Sequence, residues 1–179
     1  MKKYLRRSIV ASLILAIATL AIAYAQQPKK DSNKKMSDMA DEQMNKRGDH
    51  IMGFDHTKTT HHFLLQESGG SIEVTANSSD DVESSDQIRM HLKHIAMMFA
   101  EGNFNAPMLI HDQTPPGVPV MQELKSEIKY NYEEIDRGAA VRISTKNPTA
   151  LKAIHEFLRF QIKEHKTGDS LDISKRTVN

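Results

Sequence analysis

SSDQIRMHLKHIAMMFAEG, running from Ser84 to Gly102, is the stretch from which the rest of the fold can be read. Ser84 followed by Gln87 has the spacing of a capping box, in which two side chains satisfy otherwise orphaned backbone N–H groups. Gly102 suits the left-handed position just past a helix end. The spacing predicts a helix between them. Its side chains sort around the axis: Ile88, Leu92, Ile95 and Phe99 share one narrow arc, His91 and Met98 flank it, and Met90, His94 and Met97 line the far side. One face packs, and the other presents imidazoles and thioethers.

Upstream, His61, Phe63 and Leu65 alternate with His62, Leu64 and Gln66. After Glu67-Ser68-Gly69-Gly70, the residues Ile72, Val74 and Ala76 alternate with Glu73, Thr75 and Asn77. Period two on both sides of a turn is a hairpin with one apolar face. A second hairpin follows: Ile128, Tyr130 and Tyr132 alternate with Lys129, Asn131 and Glu133, Asp136-Arg137-Gly138 turns the chain, and Val141 and Ile143 alternate with Arg142 and Ser144. It runs into a helix capped by Asn147, opened by Pro148 and stopped by Gly168, with Leu151, Ile154, Leu158 and Ile162 as its packing stripe and Phe157 widening it. The order strand, strand, helix therefore occurs twice, GGSIEVTANS matching GAAVRISTKN, and an internal ββα duplication is expected. The simplest structure that buries every apolar face is α+β: a two-layer sandwich with a four-stranded, mainly antiparallel sheet and both long helices on one face. Between the halves, Met108, Leu109 and Ile110 read as a short buried strand. Pro115, Pro116, Gly117 and Pro119 read as a stiff loop that places His111 and Asp112 at its edge.

Residues 1–25 have the layout of a cleavable export signal: Lys2, Lys3, Arg6 and Arg7, an apolar run from Ile9 to Ala23, and the small-x-small site Ala23-Tyr24-Ala25 before Gln26. The run is shorter than the about 20 residues a membrane helix needs, so cleavage after Ala25 and a periplasmic or secreted chain with no stable membrane insertion are expected. Without the leader's four basic residues the formal charge of +1 becomes −3, which gives no reason to expect nucleic acid as a partner. Residues 26–50 are polar and aperiodic and read as a disordered linker carrying Met36, Met39 and Met44. Residues 51–168 form a single α+β domain, and residues 169–179 read as a disordered tail.

Zero Cys excludes a disulfide framework, a thiol nucleophile and a thiolate metal site, so any metal must be held by His, Met or carboxylates. Nine His are present, eight of them between His50 and His155. His91 and His94 are one helical turn apart, the spacing at which two imidazoles reach one ion, and Met90, His94 and Met97 form a mixed nitrogen and sulfur stripe beside Met98. His61 or His62 from the first strand and His111 from the loop are the natural third and fourth ligands. Copper suits His with Met; zinc suits a His set completed by a carboxylate or water, and copper is expected before zinc. Each imidazole also has an ordinary role open to it. His61 would be a hydrogen-bonded interior residue, His62 would point outward, His94 would sit on a solvated face, and His155 would flank the apolar stripe. His165 would complement a helix dipole. Two other classes stay open. One is a small hydrolase- or transferase-like enzyme using His111 and Asp112, with His91 as base. The other is a non-enzymatic interaction module, a homodimer or larger homo-oligomer built on Tyr130, Tyr132 and Leu64, with Met90 and Met97 as adaptable contacts. No nucleophile elbow, phosphate loop, dinucleotide fingerprint or H-E-x-x-H motif is present.

Three segments, MGFDHTKTTHHF (Met52 to Phe63), IRMHLKHIAMMF (Ile88 to Phe99) and APMLIHDQTPPGVPVM (Ala106 to Met121), resemble a family of small exported bacterial proteins of uncharacterised function. Some of its members carry the label aspartate carbamoyltransferase. The S-T-R-T-R phosphate loop and H-P-x-Q segment of that enzyme do not occur in this chain, so the resemblance implies an exported domain and carries over no catalytic residue.

Overall fold

The alternating segments form two hairpins. In the computed structural model, which describes residues 30–173, the chain runs α1 (Lys30–Met52), a 3-10 turn (His56–Lys58), β1 (Thr59–Gln66), β2 (Gly69–Ala76), α2 (Val82–Ala100), α3 (Asn105–His111), α4 (Val118–Glu123), a second 3-10 turn (Lys125–Glu127), β3 (Ile128–Ile135), β4 (Gly138–Thr145) and α5 (Pro148–Glu164). The sheet order is β1-β2-β4-β3 with every neighbour antiparallel. The expected α+β sandwich is therefore the structure: α5 lies over β1 and β2, and α2 over β3 and β4, on one face. Phe63 and Leu65, Ile72 and Val74, and Val141 and Ile143 point into the layer between sheet and helices, where they meet Ile88, Leu92 and Phe99 of α2 and Ile154, Phe157 and Leu158 of α5. Burying each such side chain contributes about 1.5–3 kcal/mol. The opposite face is polar, with Arg142 held between Glu73 and Glu133.

The repeat is written into the backbone. One step of 69 residues takes His56 to Lys125, Thr59 to Ile128 and Gly69 to Gly138, so turn, strand, turn and strand recur without an insertion. In the central pair Ile72 lies opposite Val141, its own counterpart under that step, and an approximate two-fold axis passes between them. The two halves make the same contacts with each other. Ala76 N–H donates to Arg137 O at 2.9 Å and Thr145 N–H to Ser68 O at 3.0 Å. A Cβ on Gly69 would sit 2.0 Å from Ile143 O, and one on Gly138 would sit 2.0 Å from Val74 O, so glycine stands where the other half's backbone closes in.

The element ends refine the sequence reading. The first long helix starts earlier than Ser84: Asp81 is its cap and accepts from Ser84 N–H at 3.0 Å, while the Ser84 hydroxyl donates back to Asp81 at 2.8 Å. Its stop is as expected, with Gly102 at φ 78° and Asn103 N–H returning to Met98 O at 2.8 Å. Asn147 caps α5 through Thr149 and Ala150, but the left-handed residue that ends it is Lys166, ahead of Gly168. Met108, Leu109 and Ile110, expected as a strand, are helical, and the proline loop is only partly a loop, because Gly117 caps α4 and Pro119 fits its first turn.

The chain divides into two units, Met1–Asp41 and Glu42–Asn179. The expected leader lies outside the described residues, as do 174–179. Residues 30–50, expected as a disordered linker, are helical. In the first unit Met36 and Met39 are exposed. In the second, Met44 is buried, Ile51 and Met52 pack on the core, and Arg47 donates to Ile110 O at 2.9 Å. A few tertiary contacts of this kind outweigh a polar composition. The tail is likewise anchored at its start: the Asp169 carboxylate accepts from Phe63 N–H at 2.9 Å and pairs with His62 at 2.8 Å, covering the edge of β1. Among the described residues no helix is long and apolar enough to cross a membrane.

Candidate metal centre

His61 occupies the inward row of β1, two residues before Phe63, and so points an imidazole at the place where α5 ends. His165, the C-cap of α5, meets it there: the rings are stacked with centroids 5.8 Å apart and planes 8° apart. His111, at the last turn of α3, stands edge-on to His165 at 5.0 Å. His91, on the flank of the α2 stripe, is separated from His61 by Phe54, whose ring lies 5.9 Å from His61 and 5.6 Å from His91. All four imidazoles line one cavity of about 60 Å³, whose remaining walls include Met52, Ile72, Leu92, Ile95, Phe157 and Gln161. Among the described residues no carboxylate lines it, while Glu164 Oε2 stands 3.9 Å from His111 Nδ1.

Burial dominates the electrostatics. It disfavours the charged imidazolium and pushes His61 and His91 down to about 4 and His165 to about 3, with the neighbouring imidazoles adding to the effect. His111 is lowered by the same cause, against the opposing pull of Gln161 and Glu164. All four rings are therefore neutral at pH 7, the form in which a ring nitrogen can ligate a metal. His111 Nε2 lies 3.0 Å from Gln161 Oε1, which accepts only if Nε2 carries the proton, and Nδ1 is then the lone-pair nitrogen. His61 Nε2, His111 Nδ1 and Gln161 Nε2 are buried without a hydrogen-bond partner, and all three residues border this cavity. An unmet buried polar group costs about 1–3 kcal/mol, so three around one space mark a site shaped for something that would engage them.

Of the residues named from sequence, His61, His91 and His111 are brought together. His62 and His94 are not: His62 points to the other face of the sheet and pairs with Asp169, and His94 is exposed on the solvent side of α2. The one-turn spacing of His91 and His94 fails because His91 turns inward with the apolar stripe while His94 lies beyond it. Met90 and Met97, 68% and 53% exposed, also face solvent, and Met98 packs against the core. Asp112 is exposed in a left-handed conformation and does not line the cavity that His111 borders, so the two side chains expected as an acid–base pair are not brought together there. His155 is structural, its Nε2–H shared between Gln66 O at 2.9 Å and Gly69 O at 3.0 Å. His165 is not the cationic dipole partner expected of it, because burial holds it neutral and it packs on His61.

No protein-family model, no curated protein and no solved structure matches the chain. The chemistry has to be read from the side chains alone. His165, Gln161 and Met52 were missed by the sequence reading, although a signal for two of them was present. Leu158, Gln161, Ile162 and His165 are spaced i, i+3, i+4, i+7, which puts two polar residues in an apolar stripe. Met52 and His56 lie at and just past the end of the helix Lys30–Met52, where no local periodicity points to what they face. Among the described His, Asp and Glu side chains, only Asp49, Asp55 and His56 form a triad with donor atoms within 4.8 Å of one another. Its carboxylates are already engaged, Asp49 with His56 at 2.8 Å and Asp55 with Thr57 at 2.6 and 2.8 Å.

Proposed function

We propose that this is an exported protein that carries a soft metal ion, copper(I) before zinc(II), at the imidazole-lined cavity. The observation that supports it is the convergence of His61, His91, His111 and His165 on one apolar space with two ring nitrogens left unpartnered. Three considerations favour the cuprous ion. Zinc is four-coordinate in structural sites and usually has at least three protein ligands, whereas no three imidazole nitrogens here lie within 4.8 Å of one another. Copper(I) is soft and accepts few ligands, and Met52 adds a thioether to the same wall. The cost of moving an ion into an apolar medium grows with the square of its charge, so a monovalent ion enters a cavity without carboxylates at roughly a quarter of the divalent penalty. The ligand set is His61 and His165 with Met52, and His91 and His111 form the adjoining wall.

Anaerobic competition dialysis of the mature chain against Cu(I), with Zn(II) alongside, tests the reading. One tightly bound cuprous ion per chain is expected, with His61→Ala and His165→Ala each losing it and His94→Ala retaining it. Equal uptake by the His61→Ala and unaltered chains would remove the site.

A further inference from the structure

The cavity has a second chamber. A space of about 220 Å³, lined by Met44, Asn45, Gly48, His56, Thr59, Thr60 and Thr167, shares Met52, His61, Ile110 and His165 with the inner cavity. Those four side chains are the partition, and three of them are the donors assigned above. An ion held there faces two environments, an apolar one within and a polar one without. The polar chamber has its own imidazole. His56 Nδ1 lies 2.8 and 3.0 Å from the two Asp49 carboxylate oxygens, and its backbone N–H donates to the same group at 2.8 Å. A carboxylate can only accept, so Nδ1 carries the proton, and in the neutral ring Nε2 is the lone-pair nitrogen. Such a carboxylate partner fixes the ring and raises its basicity as a ligand. The side chain of His56 is 36% exposed, within reach of an incoming complex.

We propose that His56, oriented by Asp49, is the entry ligand of this site: it receives a cuprous ion in the outer chamber and passes it to His61, His165 and Met52, so that the ion is exchangeable cargo and not a fixed structural element. The inference rests on the metal reading above. The transfer is a ligand exchange in which the copper bonds to the incoming carrier and then to His56 break as copper–nitrogen bonds to His61 and His165 and a copper–sulfur bond to Met52 form. Copper remains Cu(I) throughout, and no electron or proton has to be supplied. Gly48 leaves the passage open, since a Cβ there would meet only the mobile end of Met52, at 3.2 Å.

Anaerobic stopped-flow with the mature chain and Cu(I) presented as its bicinchoninate complex separates route from site. His56→Ala should slow both uptake and release about tenfold or more while affinity at equilibrium stays within about threefold. His56→Met, which cannot pair with Asp49 but keeps a soft donor, should restore the rates, an outcome that a merely structural role for His56 would not give. Gly48→Leu, which fills the chamber and removes no donor but presses on the methyl end of Met52, should slow exchange as well, and it serves if the His56 variants do not fold. Unchanged rates in Gly48→Leu and His56→Ala would overturn the route, and so would a loss of affinity in His56→Ala as large as that in His61→Ala. Uptake with unchanged rates takes down this inference alone, whereas no uptake by the unaltered chain takes down the metal reading with it.

Discussion

Under the approximate two-fold axis His61 falls on Tyr130, and the step of 66 residues that carries the cap Asp81 to Asn147 and Leu92 to Leu158 carries Phe99 to His165 and Ile95 to Gln161. Strand ring meets helix ring at the same distance in both halves, 5.8 Å, but the pairs are His61 with His165 in one and Tyr130 with Phe99 in the other. In the second half Phe104 and Phe157 close around Phe99, at 4.3 and 5.9 Å, and fill the space with hydrocarbon. Around His61 and His165 the equivalent space is the imidazole-lined cavity, which Phe99 and Phe157 border from the other side. The same backbone therefore closes without imidazoles, and packing alone does not account for His61, His165 and Gln161. Left without hydrogen-bond partners, His61 and Gln161 are expected to lower stability where β1 meets the end of α5.

The contrast can be broken from either side. Phe99→Ala, in the filled half, should cost about 3–5 kcal/mol in urea denaturation, because a large buried ring is lost at a junction of three others. An undiminished midpoint would mean that this half is not the stable one. Acid should act on the other half. The unfolded chain titrates its imidazoles near the ordinary 6.5, whereas His61 and His91 titrate near 4 and His165 near 3 in the folded protein. Between those values the unfolded state binds more protons, so the stability of the metal-free protein is full above pH 6.5 and falls by several kcal/mol as the pH drops towards 3. Amide exchange should show β1 and the end of α5 opening first, and a flat stability profile from pH 7 to 4 would contradict the burial. Making the first half resemble the second, with His61→Phe and His165→Phe together, should raise apo stability by about 1–3 kcal/mol while abolishing copper uptake. A double variant that loses stability would show that the imidazoles serve the fold. The smallest effect is expected where the halves agree: Asp81→Ala and Asn147→Ala each remove a helix cap, and each should cost about 1 kcal/mol.

The architecture was legible because its signals are local and periodic. Alternation gave both hairpins, a 3.6-residue stripe gave the two helices that cover the sheet, and the stripe through Ile88, Leu92, Ile95 and Phe99 sorted buried from exposed residues as the structure does. The site was legible only where it shares those signals. His61 could be placed inward from Phe63, and His91 on the flank of a helix. What could not be seen was distance across the chain. Nothing local says that His165 meets His61, and the pairing of His91 with His94 was drawn from helical spacing without allowing for the inward turn of one and not the other. The segment around Met44, residues 30–50, was misread for the same reason, since its helix is held by partners far away in sequence.

The seam between β2 and β4 has one more implication. Because Ile72 lies against Val141 across the axis, each ββα half presents to its fellow the edge that it must itself receive. A chain cut in the connection between Gly102 and Val118 would leave two fragments, neither with a closed core, that can finish folding only by finding one another. Two copies of the first fragment would offer one another the same edge, as a symmetric dimer in which each His61 would face a Phe99 where the intact chain has His165.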